Sequence, residues 1–280
     1  MNAVNRILGS VTDGVLYPFR GLPPLVGLAV VSLLVGILML LIFKVTSNQT
    51  KMKLIKDRIS AGFYEIRLMN DDLRAILRAQ SRILSRNLHY LRYALVPLLW
   101  IIVPIILIMG QLQAYYGYRG LAPGETALVE VELEDDWRER TGTAGPGRPD
   151  IELRLPEGLA LDAPGVWIPA RREMAWRIAA REWGDHEIQL VVGGETYAKA
   201  VHVTEDTGRR APYRSAGFLD QLFYPGEEGL PGSSPIARIR LRYEDAEIGV
   251  LGLGMHWLIP FLALSIVFAF ALKDRFGVTI

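Results

Sequence analysis

Few residues in this chain have the types and spacing to do chemistry, and most of those are arginines. Arg74, Arg78, Arg82 and Arg86 recur every four residues, with Arg67 shortly before them. On a helix this spacing lines guanidinium groups along one side. The chemistry is electrostatic. Such a ridge either stays solvated and marks sidedness, or docks RNA, the ribosome, anionic lipid or an acidic chain. Aromatic residues near it are limited to Phe63, Tyr64, His89 and Tyr90. Stacking on single-stranded bases is therefore not favoured, and no DNA partner is expected.

A second set consists of polar residues inside long apolar runs: Ser32, Gln111, Gln113, His256 and Ser265, with Lys44 and Arg92 where two runs meet charged sequence. Polar groups are expensive in hydrocarbon and are default functional positions there. Ser32, Ser265, Lys44 and Arg92 are the candidates for lining a polar groove. Gln111, Gln113 and His256 fall near an outer interface, and Trp257 beside His256 fits an aromatic anchor. The serines can bond their own helix backbone. None of these is a charge buried mid-span, which disfavours an ion or proton pathway.

Enzymatic chemistry finds little support. His186 and His202 are isolated, and their expected role is structural. Glu130, Glu132, Glu134, Asp135 and Asp136 could suggest Ca²⁺, but alternate acids on a strand more often form a solvated face. Trp167, Trp176 and Trp183 could line a sugar surface, although such positions are more often core. The chain has no Cys, which excludes disulfides, thiolate metal sites and Cys nucleophiles. It carries no phosphate-binding loop, nucleotide fingerprint or Ser/His/Asp order. We expect no enzymatic activity, no metal and no cofactor.

The elements that position these residues follow from hydropathy and charge. Three blocks are nearly free of charge over about 20 residues, the length needed to cross a ~30 Å hydrocarbon core: 24–43, 94–113 and 248–272. Pro97 and Pro104 are expected to bend the second. The formal net charge of +1 conceals a separation. Residues 44–93 carry 11 Lys/Arg against 4 Asp/Glu, and 114–249 carry 16 against 24. The basic-loop rule puts 44–93 and the 273–280 tail in the cytoplasm and 1–23 and 114–247 outside. The expected location is a bacterial inner membrane, with its lipid bilayer as the first partner.

Within 49–92 apolar residues step by 3 or 4, interrupted at Asn70-Asp71-Asp72. Two helices, roughly 45–69 and 72–92, should form a coiled-coil hairpin with the apolar stripe buried between its arms. Residues 1–23 read as a short amphipathic segment. In 115–249, alternation in ALVEVELE, EIQLVV and IARIRLRY, with turn clusters between further candidates, predicts about seven short strands. The expected fold is an α-helical integral membrane protein with three spans and a cytoplasmic hairpin, carrying an inserted all-β immunoglobulin-like sandwich.

This layout, with the stretch FKVTSNQTKMKLIKDRISAGFYEIRLMNDD at 43–72 at its centre, resembles the minimal core of the YidC/Oxa/Get insertase superfamily. The archaeal three-span YidC-like type and the insertase subunit of the endoplasmic reticulum membrane complex are the nearest in layout. The resemblance is topological, covers about half the chain, and does not include the sandwich. It implies insertion of membrane proteins, with nascent membrane proteins or the ribosome as partners of the hairpin. The alternative is a non-enzymatic envelope scaffold or receptor. Its outer sandwich would bind an envelope protein, and its hairpin a cytoplasmic factor.

Overall fold

The computed structural model describes residues 3–47, 49–68, 73–142 and 147–278. The expected Asn70-Asp71-Asp72 turn lies outside them. The chain divides into two compact units, Met1–Gly27 with Leu107–Leu258, and Leu28–Ile106 with Ile259–Ile280.

The second unit is helical. It holds most of α2 (Pro24–Thr46), all of α3 (Gln49–Leu68), the first part of α4 (Leu73–Tyr116) and nearly all of α7 (Leu258–Phe276). Two segments among the described residues, Pro24–Thr46 and Leu95–Tyr116, are long and apolar enough to cross a membrane. Helix α7 is shorter in this respect. Its uncharged residues run only from Leu258 to Leu272, about 22 Å at 1.5 Å per residue.

Small residues let α2 and α7 pack closely. Ser32 Oγ donates to the Phe261 carbonyl at 3.4 Å. A Cβ at Gly36 would lie 3.1 Å from the Ser265 carbonyl oxygen. Both pairs share one sequence offset, so the two helices run parallel, and Lys44 falls level with Lys273. Gly36 faces both Ser265 and Ala269, four residues apart on α7, so small residues let the two backbones approach.

Helices α3 and α4 form an antiparallel hairpin. Gly62 lies against Ile83, where any Cβ would come within 2.7 Å of Cγ1. On one side of that pair Glu65 meets Arg82 at 2.5 Å, and on the other Arg86 donates to the Arg58 carbonyl at 2.7 Å. Helix α4 does not stop where the hairpin was expected to end. It continues through residue 94 with Pro97 and Pro104 inside it, because nothing between Leu73 and Tyr93 terminates a helix.

The first unit is built on antiparallel sheet. Its strands are β1 (Thr126–Leu133), β2 (Ile151–Arg154), β3 (Leu159–Ile168), β4 (Glu173–Ala180), β5 (Gly184–Val192), β6 (Glu195–Val203), β7 (Tyr213–Ser215) and β8 (Ile236–Leu241). One sheet has the order β3-β4-β1-β8-β7, the other β2-β5-β6. Alternation places Val129, Val131 and Leu133 of β1, Trp176 and Ile178 of β4, Leu190 of β5 and Ile239 of β8 in one shared core. Each such burial contributes about 2 kcal/mol. Gly193-Gly194, with φ +60° and +83°, closes the β5–β6 hairpin through a turn that other residues strain to adopt. Helix α1 (Ala3–Leu16) and the short helices α5 (Trp137–Thr141) and α6 (Phe218–Phe223) complete the unit.

The apolar run expected as a third span from Ile248 is corrected. Its first part is a β-hairpin, β9 (Glu247–Val250) with β10 (Leu253–His256), and the helix begins at Leu258. Gly249, Gly252 and Gly254 weaken helix by about 1 kcal/mol each. Leu251 and Gly252 instead take positive φ of +52° and +84°, making a two-residue hairpin turn.

Candidate functional site

Sequence reasoning treats the apolar residues of the hairpin as one stripe hidden between its arms. The structure divides them. On α4, Ile83 is buried and Ile76 and Tyr90, seven residues either side, are half-buried. One residue on, at 100° around the helix, Leu77, Leu84 and Leu91 repeat the same spacing in the open, joined by Leu88. These four leucines are 52–64% exposed. Leu95, Leu98 and Ile102 continue the seam into the apolar segment. Steps of 4 and 3 alternate from Leu84 to Ile102, the pattern that receives another helix. In an antiparallel pair, residues one step past facing positions turn to the same side. Exposed Phe63, next to Gly62, therefore shares a face with Leu84.

The arginine ridge is also divided. Arg82 is held by Glu65, and Arg86 by the Arg58 carbonyl, so both brace the hairpin. Arg67, Arg74 and Arg78 stay exposed toward its distal end, where Arg78 Nε donates to the Arg74 carbonyl. An open apolar seam with cations at its distal end suits an amphipathic or apolar segment carrying acidic flanks. Covering four half-exposed leucines is worth about 4 kcal/mol gross, the scale of a weak, releasable contact.

The described candidate groove residues fall in two places. Ser32 and Ser265 are buried in the α2–α7 packing, and Ser265 Oγ has no hydrogen-bond partner among the described residues. Lys44 is exposed in the last turn of α2. The Arg92 side chain lies outside the described residues. Trp257 is buried, with its indole N–H donating to Gln113 Oε1 at 2.8 Å, so its ring is not at a surface where a membrane anchor sits. His256 is exposed, and its Nδ1 accepts from the Leu258 N–H at 3.3 Å.

In the β unit, the residues missed by sequence reasoning are the cations that fasten the Gly/Pro-rich segment 205–235. Lys199 on β6 is fully buried and donates to Glu227 Oε1 at 2.5 Å and to the Ala211 carbonyl at 2.6 Å. Burial pushes its ammonium below the usual lysine range, against the pull of Glu227. Arg209 reaches Gln111 Oε1 at 2.8 Å, the Pro225 carbonyl at 2.9 Å and Asp13 Oδ1 at 3.2 Å. Arg210, also buried, donates to the carbonyls of Tyr118, Gly208 and Asp206, and burial lowers its guanidinium. Arg214 donates to the carbonyls of Ala198 and Glu228. Lys199 is the one Lys in 114–249, where every other Lys/Arg position is Arg, and that was the available signal.

Beside this strap lies an open cleft of about 700 Å³ that includes Arg20, Trp183, Asp185 and His202. His202 Nδ1 and Asp185 Oδ1 are 2.6 Å apart. Trp183 is exposed there, whereas Trp176 is in the core and Trp167 packs edge-on to Trp137 at 6.0 Å. The acidic face of β1 is answered by arginines: Glu130 lies 3.1 Å from Arg242 and 3.5 Å from Arg240. Among the described residues no group of three or more His, Asp or Glu could hold a metal ion. No family model, curated protein or solved structure matches the chain.

Proposed function

We propose that the protein is an integral membrane factor that helps insert membrane proteins, with the hairpin as the element that captures apolar segments. The observation carrying this is the open leucine seam of α4, exposed beside a hairpin contact that already uses a different stripe. A stripe of half-exposed leucines on a water-facing helix is unfavourable unless something covers it for part of the time. A contact of about 4 kcal/mol lets a segment bind and leave.

The membrane reading rests on α2 and on the apolar half of α4, with the parallel packing of α7 on α2 in support. The expected sidedness is a bacterial inner membrane with the N-terminus outside, and the hairpin and C-terminus in the cytoplasm, because Lys44, Lys273 and the hairpin cations gather at one end of the apolar helices. For the β unit we infer an immunoglobulin-like sandwich. The orders β3-β4-β1 and β2-β5-β6 match the D-E-B and C-F-G arrangement, with β8 in the place of the A strand. That strand order supports a permuted version of the sandwich.

Site-specific photocrosslinkers at Leu84 and Leu88, with buried Ile83 as control, test the capture role in cells. Crosslinks from the two leucines to nascent membrane-protein segments or ribosomal components support it. Equal yields from all three positions, or none from the leucines, remove it. The scaffold or receptor reading is favoured by the open cleft beside Trp183. Copurification of a stable envelope protein, lost on Trp183→Ala, would support it instead.

A further inference from the structure

The foot of the hairpin carries a separate feature. A cleft of about 770 Å³ opens there, lined by Lys51, Lys53, Leu54 and Lys56 of α3 and by Asp274 and Val278 from the end of α7 and beyond. Thr50, Asp57 and Gly277 complete the lining. The three lysines lie on the first two turns of α3, which begins three residues after α2 ends at Thr46. Parallel packing of α2 and α7 sets Lys44 level with Lys273, and Arg275 follows in the same last turn. Lys44, Lys51, Lys53, Lys56, Lys273 and Arg275 therefore gather where the apolar helices end. Exposed Val45 and Leu54 supply apolar surface among them.

We propose that this cleft holds the phosphate-bearing headgroup of an anionic phospholipid. The inference rests on reading α2 and α7 as membrane helices. Three lysines against Asp57 and Asp274 leave the cleft only modestly positive, which is poor for capturing a free anion from solution. Presented at a bilayer surface, the same cations meet headgroups already concentrated there, each basic residue adding about 1 kcal/mol. The lysine ammoniums would face the phosphate while Leu54 and Val45 meet the glycerol and upper acyl chain. Asp274 and Asp57 would accept hydrogen bonds from headgroup hydroxyls, which favours phosphatidylglycerol over a headgroup lacking them.

The test uses full-length protein in nanodiscs of phosphatidylcholine with and without phosphatidylglycerol, read by native mass spectrometry of lipids retained on release. Preferential retention of phosphatidylglycerol is expected, falling about fivefold for each of Lys53→Gln and Lys56→Gln. Arg148→Gln, the same charge change at an exposed position of the β unit, should leave retention unchanged. An equal fall with Arg148→Gln would reduce the effect to net charge and overturn the site. Displacement of the lipid by inorganic phosphate would reassign it to a soluble anion. A protein that alkaline carbonate strips from membranes would overturn both this site and the membrane reading. One that stays in the bilayer without preferring phosphatidylglycerol overturns the site alone.

Discussion

Replacing Lys199 with Met should unfasten the strap over β6. The wild-type ammonium is fully buried, and the Glu227 side chain facing it is only 16% exposed. Lys199→Met leaves that carboxylate nearly buried without a cation and the Ala211 carbonyl without its donor. Breaking a buried pair by removing one partner costs about 3–5 kcal/mol, and the residual solvation of Glu227 puts this case near 3. For a unit of this size that is a fall of about 6–12 °C in Tm. Thermal unfolding of detergent-solubilised protein, followed by the β circular-dichroism signal, gives the value. Lys199→Met with Glu227→Gln should recover most of the loss, because no uncompensated charge then remains. The pair also sets a pH trend. The folded-state pKa of Lys199 lies below its unfolded value, so near pH 10 the unfolded chain binds more protons and this group adds stability as pH rises toward 10.5. Lys199→Met should flatten that rise relative to wild type. A single-variant cost under about 1 kcal/mol, or strict additivity of the two changes, would refute the reasoning.

Other substitutions probe the remaining elements. Gly62→Val places a side chain inside contact distance of Ile83 and should loosen the hairpin by about 1–3 kcal/mol, seen as faster proteolysis between α3 and α4 and reversed by Ile83→Ala. Ser265→Ala should be neutral or stabilising by about 1 kcal/mol, since its buried hydroxyl has no partner among the described residues, and a clear loss on detergent melting would show that the hydroxyl is bonded. Leu251→Asn should stabilise the β9–β10 hairpin by about 1 kcal/mol by easing a left-handed residue, measurable as slower hydrogen exchange at Val250, whose amide faces Leu253 across the turn.

Much of the fold could be read from residue patterns. Alternation in ALVEVELE places a strand within one residue of β1, and a Gly-Gly pair marks the β5–β6 turn. The limits were physical. Hydropathy counts apolar composition, so IGVLGLGMHW passed for the start of a span although its glycines and turn make a hairpin. Spacing of 3 and 4 reveals an amphipathic helix but not how many seams it carries. Ile83 and Leu84 are adjacent in sequence, and only the packing of Gly62 against Ile83 decides which is covered. Lys199 meets Glu227 across a separation of 28 residues that holds β7 and α6, a pairing with no local signature. Ser32 and Ser265 bring α2 and α7 together, a packing role that a polar residue in an apolar run does not announce.

The open face of the hairpin is proposed to assist membrane insertion. Its most direct test is insertion of a small-tailed membrane protein into proteoliposomes holding the purified chain, wild type against Leu84→Asp with Leu88→Asp. Both sites are exposed, so the variant should fold and melt as wild type does. Insertion above empty liposomes is expected with wild type, and its loss in the variant at unchanged protein content. Equal insertion by the two, or none above empty liposomes with wild type, would contradict it.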